Sequence, residues 1–168
     1  MRVAVTGTPG TGKTTATETL ETDLAVVHLN EVIEEERLTT GRDPERDTLV
    51  ADLEAVREWL GDRDDVLVES HLAHHLDVDR VVVLRCHPTE VERRLEARGE
   101  SPESASENAE SEALDIVLSE AVARHGEDAV YEIETTDRDA AAVAEAIAAV
   151  ISGDREPSTG TVSDVDYL

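Results

Sequence analysis

The stretch that decides the fold follows the first apolar run of the chain and reads Gly7-Thr8-Pro9-Gly10-Thr11-Gly12-Lys13-Thr14. It matches the P-loop pattern G-x-x-x-x-G-K-[ST], in which glycines let successive backbone N–H groups surround a phosphate. In this pattern Lys13 reaches the β- and γ-phosphates, the Thr14 hydroxyl ligates Mg²⁺, and the following helix adds its N-terminal dipole. An ordinary glycine-rich turn is the alternative, but the position between a strand and a helical pattern favours a site for a nucleoside triphosphate with Mg²⁺.

The composition of the chain is a second argument that Lys13 has a function. The 168 residues carry 40 acidic and 15 basic side chains, a net charge of −25, and Lys13 is the single lysine beside fourteen arginines. A strongly acidic chain with one lysine and three aromatic residues is typical of an extreme halophile, in which salt screens the self-repulsion. An acidic mesophilic protein is the alternative. If the chain is halophilic, Lys13 is a residue that arginine could not replace.

Length, charge and cysteine content exclude several classes of protein. A chain of this length fits one domain and leaves no room for a large second one. The acidic excess disfavours direct nucleic-acid binding, which needs clustered Lys and Arg, and no apolar run approaches the ~18 residues of a membrane span. The first six residues have the character of a strand rather than of a signal peptide, and Cys86 has no second cysteine to pair with. We therefore expect a cytoplasmic protein without membrane association.

Short runs rich in Val and Leu alternate with amphipathic stretches, which predicts βαβ units and a three-layer α/β fold with a parallel sheet. The five predicted strands are Val3–Thr6, Ala25–Leu29, Val66–Glu69, Arg80–Arg85 and Val130–Ile133. Helical patterns cover 13–23, 30–38, 52–61, 88–98, 103–125 and 139–152. The polar segments 39–48 and 99–108 are predicted to be irregular, the first of them a mobile loop. The segment 153–168 is predicted to be a disordered acidic tail.

A carboxylate ends the third predicted strand, and three histidines follow it. Glu69 at the tip of an apolar run has the Walker B arrangement, which holds Mg²⁺ directly or through water, although an exposed strand end would have the same pattern. We expect His71 to lie near the γ-phosphate, where it positions a water or accepts a proton. His71, His74 and His75 could instead form a zinc site, but the sequence shows no further ligand, and we expect His74 and His75 to be surface residues.

Arginines form the third group of candidates. Arg94 and Arg98 lie four residues apart on one helix face, beside Arg93, and arginines there would stabilise the charge of a moving phosphoryl group. The alternative is a solvated helix on which they pair with Glu90, Glu92 and Glu96. Because aromatic residues are scarce, the guanidinium plane of Arg98 is the candidate to cover a nucleobase. The candidates to bind the phosphate of an acceptor are Arg37, Arg42 and Arg46.

Five strings taken together resemble the adenylate kinase isoenzyme 6 family, small nucleoside monophosphate kinases of archaea and eukaryotes. They are GTPGTGKTT at 7–15, Glu69-Ser70-His71, RVVVLR at 80–85, RLEARG at 94–99 and ENAESEA at 107–113. The resemblance spans about residues 2–150 and implies a P-loop NTPase fold of the nucleoside monophosphate kinase type, with a five-stranded parallel sheet flanked by helices. It also implies phosphate transfer from ATP to AMP and other monophosphates, and ATPase activity. A further implied role is late maturation of the small ribosomal subunit and its rRNA, with transient binding to a ribosomal protein of the platform.

By position, the resemblance also implies particular site residues. ATP would be bound by Gly10, Gly12, Lys13, Thr14, Thr15 and the lid arginine Arg98. The catalytic residues would be Lys13, Glu69 and His71, and the Mg²⁺ ligands would be Thr14 and Glu69. The kinase domain would span 1–152, with a monophosphate-binding region at about 29–52 and a short lid at about 97–107.

The chain departs from the family pattern at three places. Glu69 replaces the Asp of the family's Asp-x-His motif, which lengthens the Mg²⁺ ligand by one methylene. No aromatic residue follows Gly99 in the lid, and an arginine expected after the second strand is Glu34, with Arg37 as the nearby substitute. A monophosphate kinase used in ribosome biogenesis, a ribosome-assembly switch with incidental kinase activity and a kinase for another small metabolite all stay open. The charge of −25 favours a basic ribosomal-protein partner over direct RNA contact.

Overall fold

A computed structural model of the chain describes residues 1–45 and 48–168. The strands are β1 Arg2–Thr6, β2 Ala25–His28, β3 Thr39–Asp43, β4 Thr48–Ala51, β5 Val66–Glu69, β6 Arg80–Arg85 and β7 Val130–Glu134. The α-helices are α1 Lys13–Thr19, α2 Leu29–Glu35, α3 Leu53–Leu60, α4 Pro88–Ala97, α5 Pro102–Ala113, α6 Ile116–His125 and α7 Ala140–Ser152. Short 3₁₀ turns lie at Ala73–His75, Glu127–Ala129 and Val165–Tyr167. Within the described ranges, no helix combines the length and apolar character that a membrane crossing requires.

The five predicted strands form one parallel sheet in the order β2-β5-β1-β6-β7, which confirms the predicted fold class. The register pairs Val5 of β1 with Glu69 of β5 and Thr6 with Val83 of β6. Because all strands run the same way, their carboxyl ends meet at one edge of the sheet, where α/β folds bind ligands. The P-loop after β1 and the carboxylate that ends β5 are therefore neighbours.

Helices cover both faces of the sheet, because successive strand residues point to opposite sides. On one face Ala4, Val68 and Val83 pack with α2, α3 and α6, through Leu29, Ile33, Val56, Leu60, Leu118 and Ala121. On the other face the strands pack with α1 and α7, through Ala16, Val143, Ile147 and Val150. This is the predicted three-layer arrangement.

The prediction of irregular structure at 39–48 is wrong for the described part of that segment. Strands β3 and β4 pair antiparallel as a hairpin outside the main sheet, with a register shift between Thr39 and Gly41. Threonines in β3 and the Thr48-Leu49-Val50 run in β4 have the β-branched and apolar character of strands. The polar composition of 39–48 concealed this, because an exposed hairpin needs no buried apolar face.

The single helix predicted over 103–125 is two helices, α5 and α6. The break lies at Asp115, which adopts a left-handed φ of 56° and whose carboxylate accepts a hydrogen bond from Arg85. The irregular segment predicted at 99–108 is confined to a short turn, because Pro102 begins α5 and the Ser101 side chain caps it by accepting from the Ser104 N–H.

The prediction of a disordered tail at 153–168 is also wrong. Ser158 forms a bridge with Tyr131 at the edge of the sheet beside β7, and its N–H donates to the Val130 carbonyl at 3.0 Å. Further along, the Tyr167 hydroxyl donates to a carboxylate oxygen of Glu92 at 2.7 Å. The tail is polar, but it adds backbone pairing to an open sheet edge.

Candidate functional site

The P-loop turns tightly enough that three of its positions require glycine. Gly7, Gly10 and Gly12 have φ values of 147°, 92° and 92°, which favour glycine. A Cβ on Gly7 would also lie 2.7 Å from the carbonyl oxygen of Leu84. The loop is held from inside by Thr11, whose hydroxyl donates to the Thr8 carbonyl at 2.8 Å.

Lys13 lies buried at the start of α1, with its ammonium turned back across the loop. Its Nζ donates to the carbonyl oxygens of Gly7 at 2.9 Å and Thr8 at 3.1 Å. Burial lowers the pKa of Lys13 to about 8, against the opposing effect of the Glu69 charge. The ammonium is therefore mostly protonated at pH 7 and is held beside the loop that would surround a phosphate.

Thr14 and Glu69 form a pair of oxygen donors next to the loop. The Thr14 hydroxyl donates to Glu69 Oε1 at 3.0 Å, and Nδ1 of His28 lies 2.9 Å from the same oxygen. Oxygen ligands at 2.0–2.1 Å around octahedral Mg²⁺ lie about 2.9 Å apart when adjacent, so this pair fits two neighbouring positions of a Mg²⁺ ion. The longer side chain of Glu is compatible with that spacing, since the carboxylate already reaches the hydroxyl.

His71 lies between two cavities. One, of about 130 Å³, lies over the P-loop and is shared with Lys13, Thr14, Glu69 and Arg98. The other is a cleft of about 740 Å³ that extends to the hairpin and the start of α5. Burial and the nearby Lys13 charge lower the pKa of His71 to about 4, so its imidazole is neutral near pH 7.

The other two histidines of the cluster lie elsewhere, and the expectation that both are surface residues is wrong for His74. His74 is 2% exposed, and its Nδ1 lies 2.7 Å from the hydroxyl of Thr6 at the end of β1. Burial lowers the pKa of His74, which leaves the ring neutral. His75 is half-buried beside it, and both rings face Glu120 of α6.

The three arginines of α4 have different environments. Arg93 is exposed and pairs with Glu90, whereas Arg94 both pairs with Glu90 and donates to the Gly10 carbonyl at 3.3 Å. Arg98 borders the cavity over the P-loop and also a third cavity of about 380 Å³ between the loop and the start of α7. Of the three, Arg98 is the one that lies between the phosphate region and a space large enough for a base.

Of the arginines expected to bind the acceptor's phosphate, Arg37 and Arg42 are not among the described residues that border the cleft. Arg37 precedes β3 with a φ of 55°, Arg42 lies on β3, and both are exposed. Arg46 lies outside the described residues. In the described part of the hairpin, Glu45 and Leu49 border the cleft.

Sequence reasoning missed several residues at the site. Asn30 borders the cavity over the P-loop, and its Oδ1 accepts from the Ser70 hydroxyl at 2.7 Å. Arg138 borders the 380 Å³ cavity from the loop after β7. A basic residue just beyond the carboxyl end of a parallel strand was a signal that could have identified Arg138.

A network of buried charged side chains contacts the P-loop at Thr8, and the sequence analysis did not identify it. The Arg85 guanidinium, 1% exposed, donates to Glu112 Oε1 at 2.8 Å and to Glu132 Oε2 at 2.6 Å. The second oxygen of Glu112 accepts from the Thr8 hydroxyl at 2.6 Å. Burial opposes the charge of Arg85, but Glu112 and Asp115 raise its pKa, so the guanidinium stays charged.

Glu132 is satisfied in part by the ordered tail. Its Oε1 accepts from the Thr161 backbone N–H at 2.6 Å and from the Thr161 hydroxyl. The network therefore connects the tail, the sheet, α5 and the P-loop.

Residues 3–115 match a family model described as an AAA domain. A protein of Natronomonas pharaonis named "Putative adenylate kinase" is 65% identical over 168 residues, and one of the same name from Halobacterium salinarum is 62% identical over 169 residues. Both alignments cover all of this chain and all of the relative, and both relatives come from halophiles.

A solved structure of deoxyadenosine kinase from M. mycoides, with the products dCMP and dCDP bound, matches with a TM-score of 0.57 and 16% identity. The match covers 92% of this chain and 100% of that chain. At 16% identity, this similarity shows only that the chain and deoxyadenosine kinase share a fold.

Proposed function

The chain belongs to the AAA-domain family and to the same family as these archaeal relatives, and on that premise we propose that it is a nucleoside monophosphate kinase of the isoenzyme 6 type. It transfers the γ-phosphate of ATP to AMP and other nucleoside monophosphates. The observation that best supports this function is that Pro9 and His71 border both the cavity over the P-loop and the 740 Å³ cleft. A donor phosphate in the first and an acceptor in the second would face each other there.

In this proposal the P-loop binds the ATP phosphates. The backbone N–H groups of the loop surround them, Lys13 neutralises their charge, and Thr15 borders the same cavity. Arg98 contacts the nucleotide where the phosphate and base regions meet, and the turn at about 97–107 acts as the lid. The base occupies the 380 Å³ cavity, and the monophosphate binds towards the region at about 29–52.

Thr14 and Glu69 would hold Mg²⁺, which supplies charge neutralisation and orientation of the phosphates when bound. During transfer, an oxygen of the acceptor's phosphate bonds to the γ-phosphorus, and the bond from that phosphorus to the β–γ bridging oxygen breaks. The products are the nucleoside diphosphate and ADP. Lys13 stabilises the charge that moves onto the ADP oxygens.

The proposal also includes ATPase activity in the same site, with His71 as the residue that positions the water. Its imidazole reaches the space between donor and acceptor, where a water can take the place of the monophosphate. The neutral imidazole of His71 orients that water. As the water oxygen bonds to the γ-phosphorus, the bond from that phosphorus to the β–γ bridging oxygen breaks, and ADP leaves. The proton of the water passes through His71 to the phosphate product.

We also propose a role in late maturation of the small ribosomal subunit, in the cytoplasm, through transient binding to a basic ribosomal protein of the platform. The net charge of −25 supports a basic protein partner over direct contact with rRNA. If this role dominates, the chain is an assembly ATPase and its kinase activity is incidental.

Phosphoryl-transfer and ATP-hydrolysis rates in molar KCl, measured with a panel of nucleoside monophosphates and with or without the platform protein, test the proposal. Fast transfer to AMP that needs no partner is expected for the kinase. Slow transfer with partner-stimulated hydrolysis would favour the switch. Lys13→Ala should lower both activities by ~10²–10³ with the fold intact, because it removes a preorganised charge. Near wild-type turnover by the folded variant would refute the site.

A further inference from the structure

A group of three potential metal ligands lies behind the P-loop, outside the nucleotide site. His74 and His75 belong to the 3₁₀ turn after β5, and Glu120 lies on α6, which packs beside that turn. Nε2 of His74 lies 3.0 Å from Glu120 Oε2, and Nε2 of His75 lies 3.2 Å from the same oxygen. The two imidazole rings are 4.2 Å apart between centroids. Three ligand atoms, one from each side chain, therefore lie within 4.8 Å of one another.

We propose that His74, His75 and Glu120 form a binding site for a divalent transition metal of the Zn²⁺ type. Zinc–ligand bonds of about 2.0–2.1 Å place the ligands of a tetrahedral ion about 3.3 Å apart. The separations of 3.0 and 3.2 Å are already close to that value. Two imidazoles and one carboxylate match the ligand preference of zinc, whereas Mg²⁺ prefers oxygen alone. The fourth position would be taken by water.

The surroundings of His74 support the site. A histidine that binds a metal through one ring nitrogen usually donates a hydrogen bond from the other ring nitrogen to an oxygen atom, which fixes the orientation of the ring. Nδ1 of His74 lies 2.7 Å from the Thr6 hydroxyl, and the buried position leaves the ring little freedom to turn. His75 and Glu120 are more exposed, so an ion can enter from that side.

The zinc alternative for His71, His74 and His75 lacked a further ligand in the sequence. Glu120, 45 positions after His75, supplies it, while His71 turns away to the cavity over the P-loop. The metal would join α6 to the turn that follows His71 and, through Thr6, to the residue before the P-loop. It would therefore stabilise the part of the sheet edge that carries the candidate active site.

Zn²⁺ titration by calorimetry into the full chain, stripped of metal and free of any affinity tag, tests this inference. Molar KCl with excess Mg²⁺ would suppress weak binding to surface carboxylates. The wild type should bind one Zn²⁺ per chain. His75→Gln and Glu120→Gln should each weaken that binding at least tenfold, since even outer-shell changes cost 10–100-fold. Co²⁺ should give the intense visible bands of a tetrahedral complex in the wild type and lose them in both variants.

Matched controls make the test specific to this site. His87→Gln removes an exposed histidine from the N-cap of α4, and Glu145→Gln removes an exposed carboxylate from α7 on the other face of the sheet. Both should bind Zn²⁺ as the wild type does. Circular dichroism without metal checks that every variant is folded. The inference is overturned if the wild type binds no stoichiometric Zn²⁺, or if the site variants bind it as tightly as the controls. None of these measurements depends on kinase activity.

Discussion

Glu112→Gln should lower the free energy of unfolding by about 3 kcal/mol, because it removes a buried negative charge. The carboxylate that carries this charge accepts three hydrogen bonds. Glu112 accepts from Arg85 Nε at 2.8 Å, from the Cys86 N–H at 3.0 Å and from the Thr8 hydroxyl at 2.6 Å. Glutamine has the same shape but only one acceptor oxygen. If that oxygen faces Arg85, the amide NH₂ faces Thr8, whose hydroxyl can rotate to accept. The main loss is then the charge opposite the guanidinium.

Breaking a buried ion pair by removing one partner typically costs 3–5 kcal/mol. The lower end applies here, because Arg85 keeps Glu132 and Asp115 as partners. Unfolding entropy of about 2.1 cal/mol/K per residue gives about 0.35 kcal/mol/K for this chain, so a loss of about 3 kcal/mol lowers the Tm by about 9 °C. Thermal unfolding followed by circular dichroism in molar KCl measures this shift.

The control is Glu110→Gln, two positions away on the same helix and exposed. Both variants remove one negative charge from a chain of net charge −25, so any general relief of self-repulsion is the same in each. Exposed substitutions of this kind usually change stability by less than about 0.5 kcal/mol. Equal Tm values for the two variants would refute the structural role of the Arg85 network.

Three further predictions concern the site. In the free chain Lys13 has a pKa of about 8, so its ammonium loses its proton between pH 7 and pH 9. Because the ATP phosphates bind the protonated form, the affinity for ATP measured by calorimetry should fall about tenfold over this range. An affinity that does not change with pH would contradict this prediction. Arg98→Ala should lower kcat/KM for ATP about tenfold more than Arg93→Ala, a difference of ~1.4 kcal/mol, and equal losses would exclude Arg98 from the nucleotide site. His71→Ala should reduce ATP hydrolysis more than AMP phosphorylation, so an unchanged ratio of the two rates at saturating Mg·ATP would leave His71 a structural residue.

The sequence predicted the parallel sheet because its strands are short, apolar and separated by helical patterns. The P-loop could be located for a related reason, since the motif is contiguous and each of its residues has a local function. Glu69 could be placed beside it only because β5 ends where β1 ends. A parallel sheet brings all carboxyl ends of its strands to one edge. That β5 lies next to β1 within that sheet is a long-range pairing that the structure shows.

The wrong predictions share a different cause. In each of them, contacts with residues distant in the sequence determine the structure, and the local composition does not reveal those contacts. Residues 153–168 look like a disordered tail, yet the backbone of Ser158 pairs with Tyr131 and Thr161 binds Glu132. The helical pattern continues through Asp115, but the carboxylate of that residue turns to Arg85. His74 looked like a surface residue because its partner Thr6 lies 68 positions earlier in the chain.

The buried network also explains why an acidic composition hides structural residues. Among 40 acidic side chains, Glu112 and Glu132 look no different from their exposed neighbours in the sequence. The distinguishing partner is Arg85, which uses Nε, Nη1 and Nη2 on separate acceptors. A lysine ammonium offers a single centre and could not reach oxygens on β7, on α5 and at Asp115 from one position. Arg85 ends the continuous apolar run Val81-Val82-Val83-Leu84 and is buried with it, so its charge requires buried partners, which Glu112 and Glu132 supply.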